Sequence, residues 1–253
     1  MVDRNLQILE KRYTSGAIAL CASLTNCSEA TITLTVAAPE NVSASRGFPL
    51  TIDSKGRTSF ELVTIRPTDS SKPWRYHYDY RWQVGRRGKV ASSPFVYVLP
   101  YTNETHFVTQ ADLGSFSHQL GSGNEHAIDW AMPVGTIVGA ARDGTVVALR
   151  QDSDVGGADP KYKSSCNYVV IAHDDGTFSE YCHLRMDGVV VRLGQKVKAR
   201  EQLGFSGDTG FRSSAHLHFS VFQTLDGGTR NSISVQFETR PGEMESLKQG
   251  KRY

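Results

Sequence analysis

A chain of 253 residues has the length for one large domain or two ordinary ones. Its 39% apolar and 21% charged residues exclude wholesale disorder, and 28 Lys and Arg against 26 Asp and Glu are too evenly balanced to make nucleic acid the main partner. No run approaches the roughly 18 to 20 apolar residues of a membrane-spanning helix. With 23 Gly, 9 Pro and few stretches of amphipathic-helix spacing, the expected class is all-β and mainly antiparallel.

Residues 1–14, with Leu6, Ile8 and Leu9, read as a short helix or loose arm. The apolar stretch Ala17 to Leu20 follows Lys11 and Arg12. It is too short for a leader and no small-residue cleavage site follows, so it reads as a strand. An exported protein of this type would carry its leader outside these residues. From 15 to 100 the pattern has period two, and a β-sandwich-like accessory domain is expected. Thr31 to Val36 alternate polar and apolar side chains. From Trp74 to Val84 every even position is aromatic or Val, and every odd one is charged or polar. A strand sends these to opposite faces. The aromatic face reads as the core wall of the sandwich, with a platform for sugars or a partner as the other reading.

Phe95 to Pro100 reads as a last strand, and the domain boundary is set near residue 100. Beyond it, glycines punctuate short strands such as 144–149 and 168–172. Residues 101–240 read as a compact antiparallel β domain, with 151–163 an exposed charged loop and 241–253 a C-terminal tail.

The four cysteines are Cys21, Cys27, Cys166 and Cys182. Between the last two the chain reads strand, turn, strand. A turn centred on Asp174 or Asp175 puts them opposite each other, so a Cys166–Cys182 disulfide and an oxidising compartment are expected. Cys21 and Cys27 are a second candidate pair.

Six of the 8 histidines lie in the second half: His118, His126, His173, His183, His216 and His218. In His216-Leu217-His218-Phe219-Ser220-Val221 the two imidazoles share one strand face, about 7 Å apart, with apolar residues behind. Asp129 lies in an apolar strand-like segment and needs a partner, since an unpaired buried charge is costly. His183 follows Glu180-Tyr181-Cys182, and His118 sits in a Gly/Ser-rich loop. Three ligands of the His and Asp type with one open position make a catalytic zinc site. No HExxH helix is present, which excludes the helical zincins, and the cysteines lack zinc-finger spacing.

Several segments in order resemble the M23 peptidases, the lysostaphin- or LytM-type zinc endopeptidases of bacterial peptidoglycan. They are Ala127-Ile128-Asp129-Trp130-Ala131-Met132-Pro133, Asp143-Gly144, Tyr181-Cys182-His183-Leu184, Gly194-Gln195-Lys196-Val197, Gly204-Phe205-Ser206-Gly207-Asp208-Thr209-Gly210 and His216-Leu217-His218-Phe219. The resemblance covers about residues 112 to 224. It implies a compact LytM-type β-sheet domain, one Zn2+ per chain, an extracytoplasmic location, and hydrolysis of peptide stems or cross-bridges. Carried over, Asp129 and His218 match metal ligands, and His183 and His216 match the two catalytic, non-ligand histidines. The third ligand departs from the common pattern. Four positions before the Asp stands Glu125, so His118 is ranked ahead of His126 and Glu125. The other function considered is a catalytically inactive LytM-like protein that binds and regulates another cell-wall hydrolase. A glycan-binding β module using the aromatic face is a third. A regulatory protein partner would act through the N-terminal domain.

Overall fold

The structure is a computed structural model in which residues 5–88 and 95–253 are described. It is all-β and mainly antiparallel, as composition and periodicity predict. The chain divides into two compact units, one of residues 1–87 with 224–229, the other of 88–223 with 230–253.

Among the described residues the first unit has seven strands, β1 (Leu6–Arg12), β2 (Ile18–Leu24), β3 (Ala30–Glu40), β4 (Val42–Ala44), β5 (Leu50–Asp53), β6 (Ser59–Pro67) and β7 (Arg75–Val84). They form a four-stranded sheet, β1-β2-β6-β4, and a three-stranded one, β5-β3-β7. Residues 6–12 are therefore a strand, not a helix or loose arm. They pair with β2 along their whole length, from Leu6 opposite Leu24 to Arg12 opposite Ile18. Pairing satisfies the backbone groups that a short isolated helix would leave half open. Residues 1–4 of the expected arm lie outside the described residues.

On β7, Trp82 and Tyr80 stand opposite Ile32 and Leu34, which are fully buried. Directly paired residues share a face, so the aromatics lie on the side of the buried aliphatics. They remain half-buried themselves. The segment 224–229 ties into this unit through Thr224 Oγ1 to the Val84 carbonyl, 2.7 Å, and through Arg87, which bonds both Asp53 and Asp226.

The second unit begins with β8 (Val96–Val98), β9 (Phe107–Gln110), β10 (Ile128–Ala131), β11 (Ile137–Gly139) and β12 (Gly144–Arg150). Then come β13 (Gly156–Gly157), β14 (Tyr168–Ala172), β15 (Phe178–Cys182), β16 (Leu184–Val189) and β17 (Lys196–Val197). The last are β18 (Gln202–Ser206), β19 (Gly210–Phe211), β20 (His216–Thr224), β21 (Arg230–Ser232), β22 (Gln236–Arg240) and β23 (Glu243–Glu245). The main sheet runs β17-β12-β14-β15-β20-β10-β9, with β21 also on β20. One face of β20 drives Leu217, Phe219 and Val221 into a core with Trp130, Tyr181 and Phe237. Burying each such side chain contributes about 1.5–3 kcal/mol. The other face carries His216, His218 and Ser220, so the core holds the histidine strand rigid from behind.

Contacts divide the chain at Arg87–Gly88 rather than near residue 100. The last residues are not a free tail, since Val108 and His106 donate backbone bonds to the carbonyls of Lys251 and Tyr253 at 2.8 and 2.9 Å.

The β14–β15 ladder corrects the expected direct pairing of the two cysteines. Its register places Tyr168, not Cys166, opposite Cys182. The turn centre falls on Asp175, and a shift of one residue there displaces the pairing by two. No disulfide joins any of the four cysteines, although the Cys166 and Cys182 side chains lie within hydrogen-bond reach of each other.

Candidate metal centre

Register in the main sheet assembles the site. Asp129 on β10 pairs directly with His218 on β20, and Ala131 with His216. On the other side of β20, Cys182 pairs with His218, so His183 leaves β15 beside the same point. His183 has φ +67°, a left-handed conformation costly for a residue with a Cβ, held here by its surroundings.

The ligating atoms of His118, Asp129 and His218 lie within 4.8 Å of one another, and all three residues are buried. His218 Nδ1 is 2.8 Å from Asp129 Oδ1, and His118 Nε2 is 3.4 Å from the same oxygen. The His118 ring donates from Nδ1 to the Ala111 carbonyl at 3.2 Å. That fixes the tautomer and leaves Nε2 as a bare lone pair. This buried Nε2 has no hydrogen-bond partner. A cation between these three groups would satisfy it, and two imidazoles with one carboxylate form a donor set suited to zinc. Burial works to raise the Asp129 pKa. The facing His218, His118 and His216 outweigh it and hold the carboxyl well below the usual range.

The structure directs the two competing candidates elsewhere. Glu125 accepts backbone bonds from Gly121 and Gly123 at 2.7 and 3.2 Å, and His126 Nδ1 faces Asp112 at 3.3 Å. Both lie in the turn before β10, which starts only at Ile128.

His183 and His216 stand next to this cluster with ring centroids 4.4 Å apart. His183 donates from Nδ1 to the Thr209 carbonyl at 2.6 Å, and His216 from Nδ1 to the Ser214 carbonyl at 2.8 Å. Each therefore keeps Nε2 free for proton exchange. Burial, then the neighbouring His183, push His216 down to about 4. Burial also opposes protonation of His183, but Cys166, the Thr209 carbonyl and Asp129 outweigh it and raise the group to about 9. The Cys166 thiol accepts the His183 backbone N–H at 3.0 Å.

A sequence model of Peptidase family M23 matches residues 123–232. This stretch contains Asp129, His183, His216 and His218. Residues 123–232 are thus similar to the M23 peptidases. The matched stretch starts after His118, so the third member of the cluster comes from the chain just before it. Over 93 residues, the chain is 38% identical to the peptidoglycan DD-endopeptidase ShyA of Vibrio cholerae, covering 37% of this chain and 19% of the relative. Over 106 residues it is 30% identical to the glycyl-glycine endopeptidase ALE-1 of Staphylococcus capitis, covering 42% of this chain and 26% of that one. The chain thus spans about a third or less of the length of the curated relatives it matches. Among solved structures, the catalytic domain of lysostaphin from Staphylococcus simulans aligns with TM-score 0.35 and 24% identity, over 51% of this chain and 87% of that chain.

One residue of this site gave no signal in the sequence. Gln110, on β9, donates from Nε2 to Asp129 Oδ2 at 2.8 Å and to Ser117 Oγ at 2.9 Å. Its Oε1 accepts the backbone N–H of Phe116 at 2.9 Å and of Ser117 at 3.2 Å. It ties the carboxylate to the loop that carries His118. No motif marks a Gln at that distance. Gly114 is its only local trace, because a Cβ there would lie 2.2 Å from Gln110 Cγ.

Proposed function

We propose that the M23 domain is a zinc endopeptidase that hydrolyses peptide cross-links or bridges of bacterial peptidoglycan. The observation that carries this reading is the orphaned, buried His118 Nε2 aimed at Asp129 and His218, with two further histidines alongside. One zinc per chain would be held by His118, Asp129 and His218. Bound there, zinc supplies Lewis-acid polarisation of the scissile carbonyl and activation of a water.

The chain's own residues do the rest. His183 and His216 present Nε2 atoms that take up and return protons, worth about 10²–10⁴-fold each in such chemistry. The carbonyls of Thr209 and Ser214 lock their tautomers. Asp129 fixes His218 in orientation and supplies the negative charge that favours a dication.

An inactive regulatory relative would be expected to have lost one of these five side chains, and all five are present. The substrate lies outside the cytoplasm, so the protein is assigned an extracytoplasmic location. The N-terminal unit is the candidate contact for a regulatory partner.

The test is zinc content of the purified chain, together with hydrolysis of purified peptidoglycan, for wild type and His218→Ala. Wild type is expected to hold one zinc and release peptide fragments. The variant is expected to do neither. A wild-type chain that takes up no zinc from excess would sink the reading.

A further inference from the structure

Cys166 and Cys182 stand beside the histidine pair and outside the candidate metal ligands. Cys166 precedes Tyr168 by two residues, and Tyr168 is the residue opposite Cys182. That offset makes the cysteines diagonal neighbours, and their side chains lie within hydrogen-bond reach of each other. The Cys166 sulfur also accepts the His183 backbone N–H at 3.0 Å and lies 3.6 Å from His183 Nδ1. One sulfur therefore faces both a second thiol and a member of the histidine pair.

The backbone around this sulfur is fixed on several sides. Leu184 N–H donates to the Asn167 carbonyl at 3.1 Å, and Asn167 Nδ2 donates to the Leu184 carbonyl at 3.2 Å. Asn167 N–H donates to Thr209 Oγ1 at 3.1 Å. At Gly210, φ +81°, an added Cβ would stand 2.9 Å from Cys166 Cα, so only glycine lets the chain pass this close. With the backbone held, the movable part is the side chain. His183 has φ +67°, and its N–H bond to the sulfur is one of the contacts that hold that conformation. Cys182 is buried, whereas Cys166 is half-buried and can be reached from solvent. Burial disfavours the Cys166 thiolate, but the Cys182 hydrogen bond and the adjacent His183 outweigh it and hold the thiol well below its usual range. The thiolate is the attacking form in disulfide exchange.

We infer that Cys166 and Cys182 are a redox modification site, a dithiol that closes to a disulfide and slows the peptidase by releasing His183. Cys166 attacks the disulfide of a small molecule or of a thiol oxidoreductase. That S–S bond breaks, and one half leaves as a thiol carrying a proton. Cys182 then gives up its proton and attacks the Cys166 sulfur of the mixed disulfide, and the second half leaves as a thiol. The two cysteine sulfurs lose two electrons and two protons in all, and the oxidant becomes two thiols. The new bond draws Cys166 Sγ towards Cys182 and away from the His183 N–H. His183 loses a restraint on its left-handed backbone, and its imidazole leaves its place beside His216. The loss of rate rests on the peptidase reading, and the bond itself does not.

The test treats the full zinc-supplied chain with excess oxidised dithiothreitol, a cyclic disulfide whose mixed disulfides reclose and so spare single thiols. Peptide mapping by mass spectrometry is expected to find Cys166 joined to Cys182 with the loss of two hydrogens. The backbone amide resonance of His183 is expected to shift. Hydrolysis of purified peptidoglycan should fall about tenfold or more at unchanged zinc content, within the scale of misplacing a reacting group, and return on reduction with a phosphine. Cys182→Ser cannot close the bond and should hydrolyse like reduced wild type before and after the oxidant. Thiols that stay free under the oxidant would overturn the site. So would unchanged hydrolysis in the disulfide form, or an equal loss in Cys182→Ser. If the reduced chain hydrolyses nothing, the peptidase reading falls, and the bond and the His183 shift still decide the site.

Discussion

Gln110 and Asp129 are joined by a buried hydrogen bond of 2.8 Å, so one oxygen of the carboxylate is committed to β9 and the other faces His118 and His218. Removing the amide should free the Asp129 carboxylate to rotate and loosen the loop before His118. Gln110→Ala is expected to weaken zinc binding about 10- to 100-fold, the usual effect of losing such an outer partner. Competition with a chromophoric chelator checks it. Gln110→Glu should be worse still, since it sets a second carboxylate against Asp129.

The His118 assignment has a direct comparison. His118→Ala should lose zinc affinity by orders of magnitude, because it removes one of three protein ligands. His126→Ala should bind zinc like wild type, because His126 faces Asp112 instead of Asp129. A loss only in His126→Ala would reverse the assignment.

His183→Ala separates binding from chemistry. The residue lies outside the ligand cluster, so zinc content should stay near one per chain. Hydrolysis should fall about 10²- to 10⁴-fold, the range for a lost acid–base group. Zinc titration and fragment release, measured on the same preparation, test the two halves.

His173 predicts an acid-side loss of stability away from the site. Burial pushes it down to about 4, only partly offset by the Asp143 carbonyl at 2.8 Å; Ser179 Oγ lies at 2.9 Å from its other nitrogen. Its folded pKa is below the unfolded value, so the unfolded chain takes up the proton first as pH falls. The stabilisation is full above about pH 6.5 and is lost towards pH 4, roughly 3 kcal/mol in all. Urea unfolding at pH 7.5 and 4.5 should show that loss in wild type and a smaller one in His173→Gln. An equal loss in the two would exclude His173 as the source.

The amino-acid sequence by itself determined the class and the strand faces, and it named the candidate residues of the site. Alternation needs only a period of two, which is why His216 and His218 could be assigned to one face and Leu217, Phe219 and Val221 to the other. The resemblance to the M23 pattern, rather than spacing alone, ranked His118 ahead of two nearer candidates. What only the tertiary structure decided concerns pairing between distant segments. The Asp129–His218 register, the pairing of Tyr168 rather than Cys166 with Cys182, and the reach of Gln110 across to Asp129 each depend on how strands line up. A strand of given pattern can slide by two residues and keep its faces. Sequence periodicity therefore fixes sides and leaves partners open, and closing them takes the packed core behind β20.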